Sequence, residues 1–332
     1  MLCMAETLLP WAVRPATRPE VGGGHVARCS ALAVALKRHS AVFAVIESGG
    51  EIWQDRFDAA GVQTLPDNGL GDRLFAGVVL DDYAFGSKEV LRWRKCTTGL
   101  VVQIEDFGTP LPGIDMAVNA TPGMAGDRLA GVPALLGAEF AMLATPYTKR
   151  PRVRIRPRIE RVVVGIGWVD RYSVTERVLS ALARVFGPET RVDILLGTNS
   201  PNVKHVAALV NARSEWFLHP DEAEPWRLLE DADMAVSGAG QGLLERLAFG
   251  IPTLAISVAT NQEPSLTGAA SVGAVVDLGG LAAASEEKIA RYVASLATDF
   301  ERRRAISVAA QTLVDGNGAS RVASRICEYR HQ

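Results

Sequence analysis

Apolar residues fall into short β-branched runs separated by longer stretches with helical spacing. In the first half this pattern predicts strands at residues 9–13, 41–46, 77–80, 100–104 and 116–118, with helices at 25–38, 51–60 and 88–97. The pattern then restarts. Residues 161–165 carry consecutive valines, as a strand covered on both faces requires. Further strands are predicted at 191–196, 215–218, 234–236 and 252–257, and helices at 174–185, 202–212, 242–249, 285–297 and 300–316, with a final helix ending near residue 329. The helix at 242–249 stops at Gly250 with Pro252 beyond it.

Strands alternating with helices imply an α/β fold of parallel sheets. The expected architecture is two Rossmann-like, doubly wound domains, 1–150 and 151–332, with the last helix a candidate to pack back on the first domain. The connector at 149–158 alternates arginine with apolar residues, and Pro151 and Pro157 forbid a continuous helix through it. Its arginines suit a solvated linker better than a phosphate site. Two such domains on one linker are expected to face a cleft between the carboxyl ends of their sheets, where ligands bind.

A chain of 332 residues with 48% apolar and 22% charged residues can bury a core in each of two domains, which excludes wholesale disorder. A net charge of −2 supplies no field to recruit nucleic acid or anionic lipid. Cys3, Cys29, Cys96 and Cys327 lie far apart without a C-x-x-C pair, which argues against a zinc site or disulfide scaffold and for a reducing compartment. The uncharged run 247–262 is too short to span a bilayer, and Glu6 interrupts the N-terminus where a basic leader would lie. A cytoplasmic protein without metal or cofactor is expected.

Three clusters carry candidate chemistry. Gly22-Gly23-Gly24-His25, with Arg28 and Cys29 one turn on, places an imidazole in the first turn of a helix after a glycine loop. A neutral imidazole there can accept a proton, although a flexible turn explains the glycines alone. Asp81-Asp82-Tyr83 ends the strand at 77–80, where acidic and phenolic groups can bind sugar hydroxyls or orient a water. An N-cap and turn is an equal reading. Glu105-Asp106 reads as structural. The third cluster, Ser237 to Gly242 with Gly238, Gly240 and Gln241, leads into a helix carrying Glu245, and Asn261-Gln262 follow the next strand. Such a loop offers amides to a diphosphate, and Glu245 can accept ribose hydroxyls. His39, His205, His219 and His331 have no partners at ligand spacing.

In this order, the Gly22–Cys29, Asp81–Tyr83, Ile104–Asp106, Leu136–Phe140 and Gly238–Gln262 segments make the chain resemble the UDP-2,4-diacetamido-2,4,6-trideoxy-β-L-altropyranose hydrolases of pseudaminic acid biosynthesis. These enzymes are relatives of GT-B glycosyltransferases. The resemblance implies a GT-B fold and metal-free, inverting cleavage of a UDP-linked deoxy-amino sugar, with His25, Tyr83 and Asp82 as the catalytic set, Tyr83 facing the sugar and Glu245 binding nucleotide; Gly22, Gly24 and Arg28 are expected to touch the ligand as well. An inverting glycosyltransferase is the alternative, and a nucleotide-sugar binder with impaired turnover a second one. Three departures stand out. Pro15-Ala16-Thr17 replaces the family's aspartate, leaving no acid there to orient the histidine; Gly167-Trp168 replaces paired glycines, putting an indole where it can stack on sugar or base; and Gln241-Gly242 replaces a hydroxyl pair at the phosphates.

Overall fold

The computed structural model describes residues 9–18, 21, 23–148 and 155–329; Gly22, Cys3, His331 and residues 149–154 of the connector lie outside them. The chain divides into two compact units, residues 1–120 with 125–144 and 317–332, and residues 121–124 with 145–316.

Unit 1 runs β1 (Trp11–Pro15), α1 (Gly24–Leu36), β2 (Val42–Ile46), α2 (Gln54–Ala59), β3 (Gln63–Pro66), β4 (Phe75–Asp81), α3 (Ser87–Lys95), β5 (Thr97–Ile104), β6 (Met116–Asn119), β7 (Arg128–Leu129) and β8 (Val132–Leu136). The sheet order is β3-β2-β1-β4-β5-β6-β8-β7, parallel except for the short β7–β8 pair. The connection after β1 builds outward to β2 and β3, whereas β4 begins the opposite direction. The strand order therefore reverses between β1 and β4, and a crevice opens at their carboxyl ends. Val78, Val79 and Leu80 are fully buried in β4, which explains the uninterrupted apolar run.

Unit 2 repeats the plan: β9 (Arg161–Gly165), α4 (Val174–Ala183), β10 (Arg191–Leu196), α5 (Val203–Asn211), β11 (Trp216–Pro220), α6 (Trp226–Leu229), β12 (Met234–Gly238), α7 (Gln241–Phe249), β13 (Thr253–Ser257), α8 (Glu263–Ser271), β14 (Val276–Gly280), α9 (Glu286–Thr298) and α10 (Phe300–Leu313). Its sheet is wholly parallel, β11-β10-β9-β12-β13-β14, and reverses between β9 and β12. One core gathers Val162, Val164, Ile194, Val236 and Ile256 from the strands with Val178, Leu182 and Ile289 from the helices. Arg303 of α10 is fully buried and donates to the carbonyls of Leu296, Ala297, Arg156 and Pro157, tying the end of the connector to the end of α9.

The chain then returns to unit 1 as α11 (Gly318–Tyr329), which packs along α1. The Leu136–Phe140 segment receives it: a Cβ on Gly318 would lie 2.2 Å from the Ala141 carbonyl oxygen, and Arg321 donates to the Glu139 carbonyl at 2.9 Å. No helix among the described residues is long and apolar enough to cross a membrane.

Candidate functional site

The reversal point of unit 1 carries a charged cluster. Gly24 and His25 open α1, and Asp81 ends β4, so a strand end and a helix start bring imidazole and carboxylate together. His25 Nδ1 lies 2.6 Å from Asp81 Oδ1, and both side chains are buried. Arg28, one turn along α1, donates from Nε and Nη2 to the same carboxylate at 2.7 and 2.6 Å, and from Nη1 to Asp106 at 2.7 Å. Burial opposes ionisation of Asp81, but the charge of Arg28, then that of His25, outweighs it and holds the carboxyl well below the usual range. An ionised Asp81 accepts the Nδ1 proton, which leaves the Nε2 lone pair of the neutral ring free to act as a base. Nε2 has no protein partner among the described residues and is not among their sealed, unsatisfied atoms.

Tyr83 meets the His25 ring edge-on, with centroids 4.5 Å apart at 71°, and Phe107 meets Tyr83 likewise at 5.0 Å and 81°. The Tyr83 hydroxyl donates to Asp106. Burial pushes this phenol well above its ordinary value against the pull of Arg28, and Asp106 adds to the rise. Tyr83 is therefore a hydrogen-bonding neutral phenol at any ordinary pH.

Four expectations about this cluster change. The acid beside His25 is Asp81, not Asp82: Asp82 accepts two bonds of 2.7 Å from Arg18 and one of 2.9 Å from the Ala84 amide, a clamp that closes the turn. An acid that orients the histidine is present after all, supplied by β4 instead of the Pro15–Thr17 loop. Asp106, read as structural, joins the cluster through Arg28 and Tyr83, whereas Glu105 does cap its own turn through the Phe107 and Gly108 amides. Arg28 holds two carboxylates and is only 11% exposed, so its guanidinium orients Asp81 and is not open to a ligand. A one-dimensional reading missed Asp106 because its partner Arg28 is 78 residues away.

In unit 2 the third cluster gathers at the reversal point between β9 and β12. Gly238 ends β12 so close to the loop after β9 that a Cβ would lie 1.9 Å from the Ile166 carbonyl oxygen. Gly240 is the N-cap of α7, and no side chain caps that helix. Gln241 and Gly242 form its first turn, with Glu245 half-buried on the next. Gln262 accepts from the Val258 amide at 3.1 Å, and its amide nitrogen stands over Gly240, since a Cβ there would lie 3.1 Å from it. Half-buried Asn261 precedes it on the turn into α8. Gly167 is exposed, and the Trp168 indole lies against Gly197, whose added Cβ would stand 3.0 Å from it. Asp170 fixes this loop by capping α4 through the Val174 and Thr175 amides. No group of metal-ligating side chains occurs among the described residues.

The chain matches no protein-family profile. It is 22% identical over 200 residues to the spore coat polysaccharide biosynthesis protein SpsG of Bacillus subtilis, covering 59% of this chain and 58% of that protein, so it spans less than two thirds of that relative's length. Among solved structures, MurG of Acinetobacter baumannii superposes with a TM-score of 0.68 at 13% identity, over 97% of this chain and 99% of MurG. UGT89C1 of Arabidopsis thaliana, solved with UDP-L-rhamnose, gives 0.65 at 12% identity, over 97% and 100% of the two chains. The fold is thus that of the GT-B glycosyltransferases, two Rossmann-like parallel-sheet domains.

Proposed function

We propose that this protein is an inverting transferase that uses a nucleotide sugar, of uridine diphosphate type, in the biosynthesis of a surface polysaccharide. The observation that carries the reading is the His25–Asp81 pair, 2.6 Å apart and locked by Arg28, with Nε2 left free. The folds shared with MurG and with UGT89C1 solved with UDP-L-rhamnose, and the resemblance to SpsG, support it.

In this mechanism Nε2 of His25 removes the proton from an acceptor hydroxyl as its oxygen attacks the anomeric carbon. The new C–O bond forms as the bond from that carbon to the diphosphate oxygen breaks, inverting the centre. Asp81 stabilises the imidazolium, which then loses its proton to solvent. The Gly238–Gly242 loop and the start of α7 receive the diphosphate, whose growing charge the helix N-terminus stabilises. Glu245 binds the ribose, and Asn261 and Gln262 bind base or sugar.

Hydrolysis is the second reading, favoured by the Gly22–Cys29 motif, one of those that together carry the hydrolase resemblance. It uses the same residues with water as the nucleophile. Release of UDP from a panel of UDP-sugars, with and without candidate acceptors, separates the two. Acceptor-dependent release supports transfer, and release in buffer alone supports hydrolysis. His25→Ala is expected to lower either rate by about 10²–10⁴-fold; an undiminished rate refutes the mechanism.

A further inference from the structure

We infer that Arg246 is the buried counter-charge for a phosphate of a nucleoside diphosphate seated on the first turn of α7. The inference rests on the nucleotide reading above for the ligand class and adds a residue that the backbone amides alone do not provide.

Arg246 is 3% exposed, yet no carboxylate forms an ion pair with it among the described residues. Among the described residues its one hydrogen bond runs from Nη1 back to the Gly242 carbonyl at 2.6 Å, and its buried Nε has no acceptor. The guanidinium is thereby folded back toward the start of its own helix. Two glycines make room for it: a Cβ on Gly165, the last residue of β9, would lie 2.4 Å from Nη2, and one on Gly242 would lie 2.9 Å from Nη1. Burial also weakens its hold on its proton, which Glu245 only partly offsets.

Arg303, whose Nε likewise has no acceptor, shows what a buried structural arginine looks like in the same unit, since its Nη1 and Nη2 donate to four carbonyls. Arg246 has one. An uncompensated buried charge is costly, and an anion at this point would relieve the cation and the uncapped first turn of α7 together. Guanidinium and a row of amides suit the several oxygens of a diphosphate better than a single carboxylate.

Calorimetric titration of the full chain with UDP, inorganic pyrophosphate and uridine tests this. For Arg246→Met, affinity for UDP and pyrophosphate is expected to fall at least tenfold while that for uridine stays unchanged. The melting temperature without ligand is expected to hold or rise, because an apolar isostere removes an unpaired buried charge. Should the Met variant fail to fold, Arg246→Lys, with its charge displaced from the same position, is expected to lower the ratio of UDP to uridine affinity at least threefold. Unchanged UDP affinity in the variants overturns the inference. So does an equal loss for UDP and uridine, which marks Arg246 as structural support, or a wild type that binds none of the probes. Failure of the proposed reaction is read separately, as turnover that survives His25→Ala while pyrophosphate binding still depends on Arg246.

Discussion

Four donors converge on the Asp81 carboxylate: His25 Nδ1 at 2.6 Å, Arg28 Nε at 2.7 Å, Arg28 Nη2 at 2.6 Å and Cys29 Sγ at 3.5 Å. Asp81→Asn keeps the shape and removes the charge. Turnover is expected to fall by about 10²–10⁴-fold with UDP affinity unchanged, because the amide no longer stabilises the imidazolium. Denaturant titration of the same variant is expected to show a loss of about 3 kcal/mol, since Arg28 is left with a buried charge half-compensated. Burial, and after it the neighbouring Asp81 charge, pushes the Cys29 thiol well above its ordinary value. Cys29 is therefore expected to resist alkylation at pH 8 in the folded protein and to react once it is unfolded, as mass spectrometry of peptides would show. Asp81 was visible in the sequence as half of an ambiguous acidic pair. Which half faces the imidazole is decided by Arg18 and Arg28 arriving from a loop and a helix far upstream, and no local pattern encodes that choice.

Among the elements, buried central strands were the most legible, because parallel strands covered on both faces must be apolar throughout. Residues 161–165 and 191–196 coincide with β9 and β10. Edge elements were lost for the opposite reason: β3 is four residues long with no buried position and only Leu65 and Pro66 apolar, and β14 ends in Gly279-Gly280. In α8, Pro264 and Gly268 look like breakers, yet Pro264 sits in the first turn where it is tolerated, and a Cβ on Gly268 would meet the Pro122 carbonyl oxygen at 1.8 Å. The same close-approach logic predicts the outcome at β12. Gly238→Ala forces its methyl onto the Ile166 carbonyl, so a lower melting temperature and weakened UDP binding are expected together in a thermal-shift titration. Arg303→Met, by contrast, strips donors from four carbonyls, one buried and three partly buried, and is expected to cost about 2–4 kcal/mol in denaturant unfolding, with the UDP-to-uridine affinity ratio untouched.

At the scale of the molecule, each unit contains a carboxylate whose ionised form the fold favours. In unit 2 the strongest case is Asp193, where burial is outweighed by hydrogen bonds from His219, Arg191 and Arg161; in unit 1 it is Asp81, with Asp67 and Asp82 lowered as well. These folded values lie below the unfolded one, so their contribution is complete above about pH 3.9 and drains away as pH falls below it toward the folded values. Equilibrium unfolding between pH 6 and 3 is expected to be flat above about pH 4 and to fall steeply beneath it, with Asp193→Asn shallower than the wild type.

The path of α11 carries one more consequence. Residues 317–329 belong to unit 1 although the whole of residues 145–316 is built between them and residue 144. On the ribosome, the first half must therefore wait, with the α1 surface that α11 covers still bare, until the second half has emerged. A fragment cut after residue 144 is accordingly an incomplete object, and the direct way to isolate unit 1 is a chain in which residue 144 is joined to residue 317, since Gly318 lies against the Ala141 carbonyl.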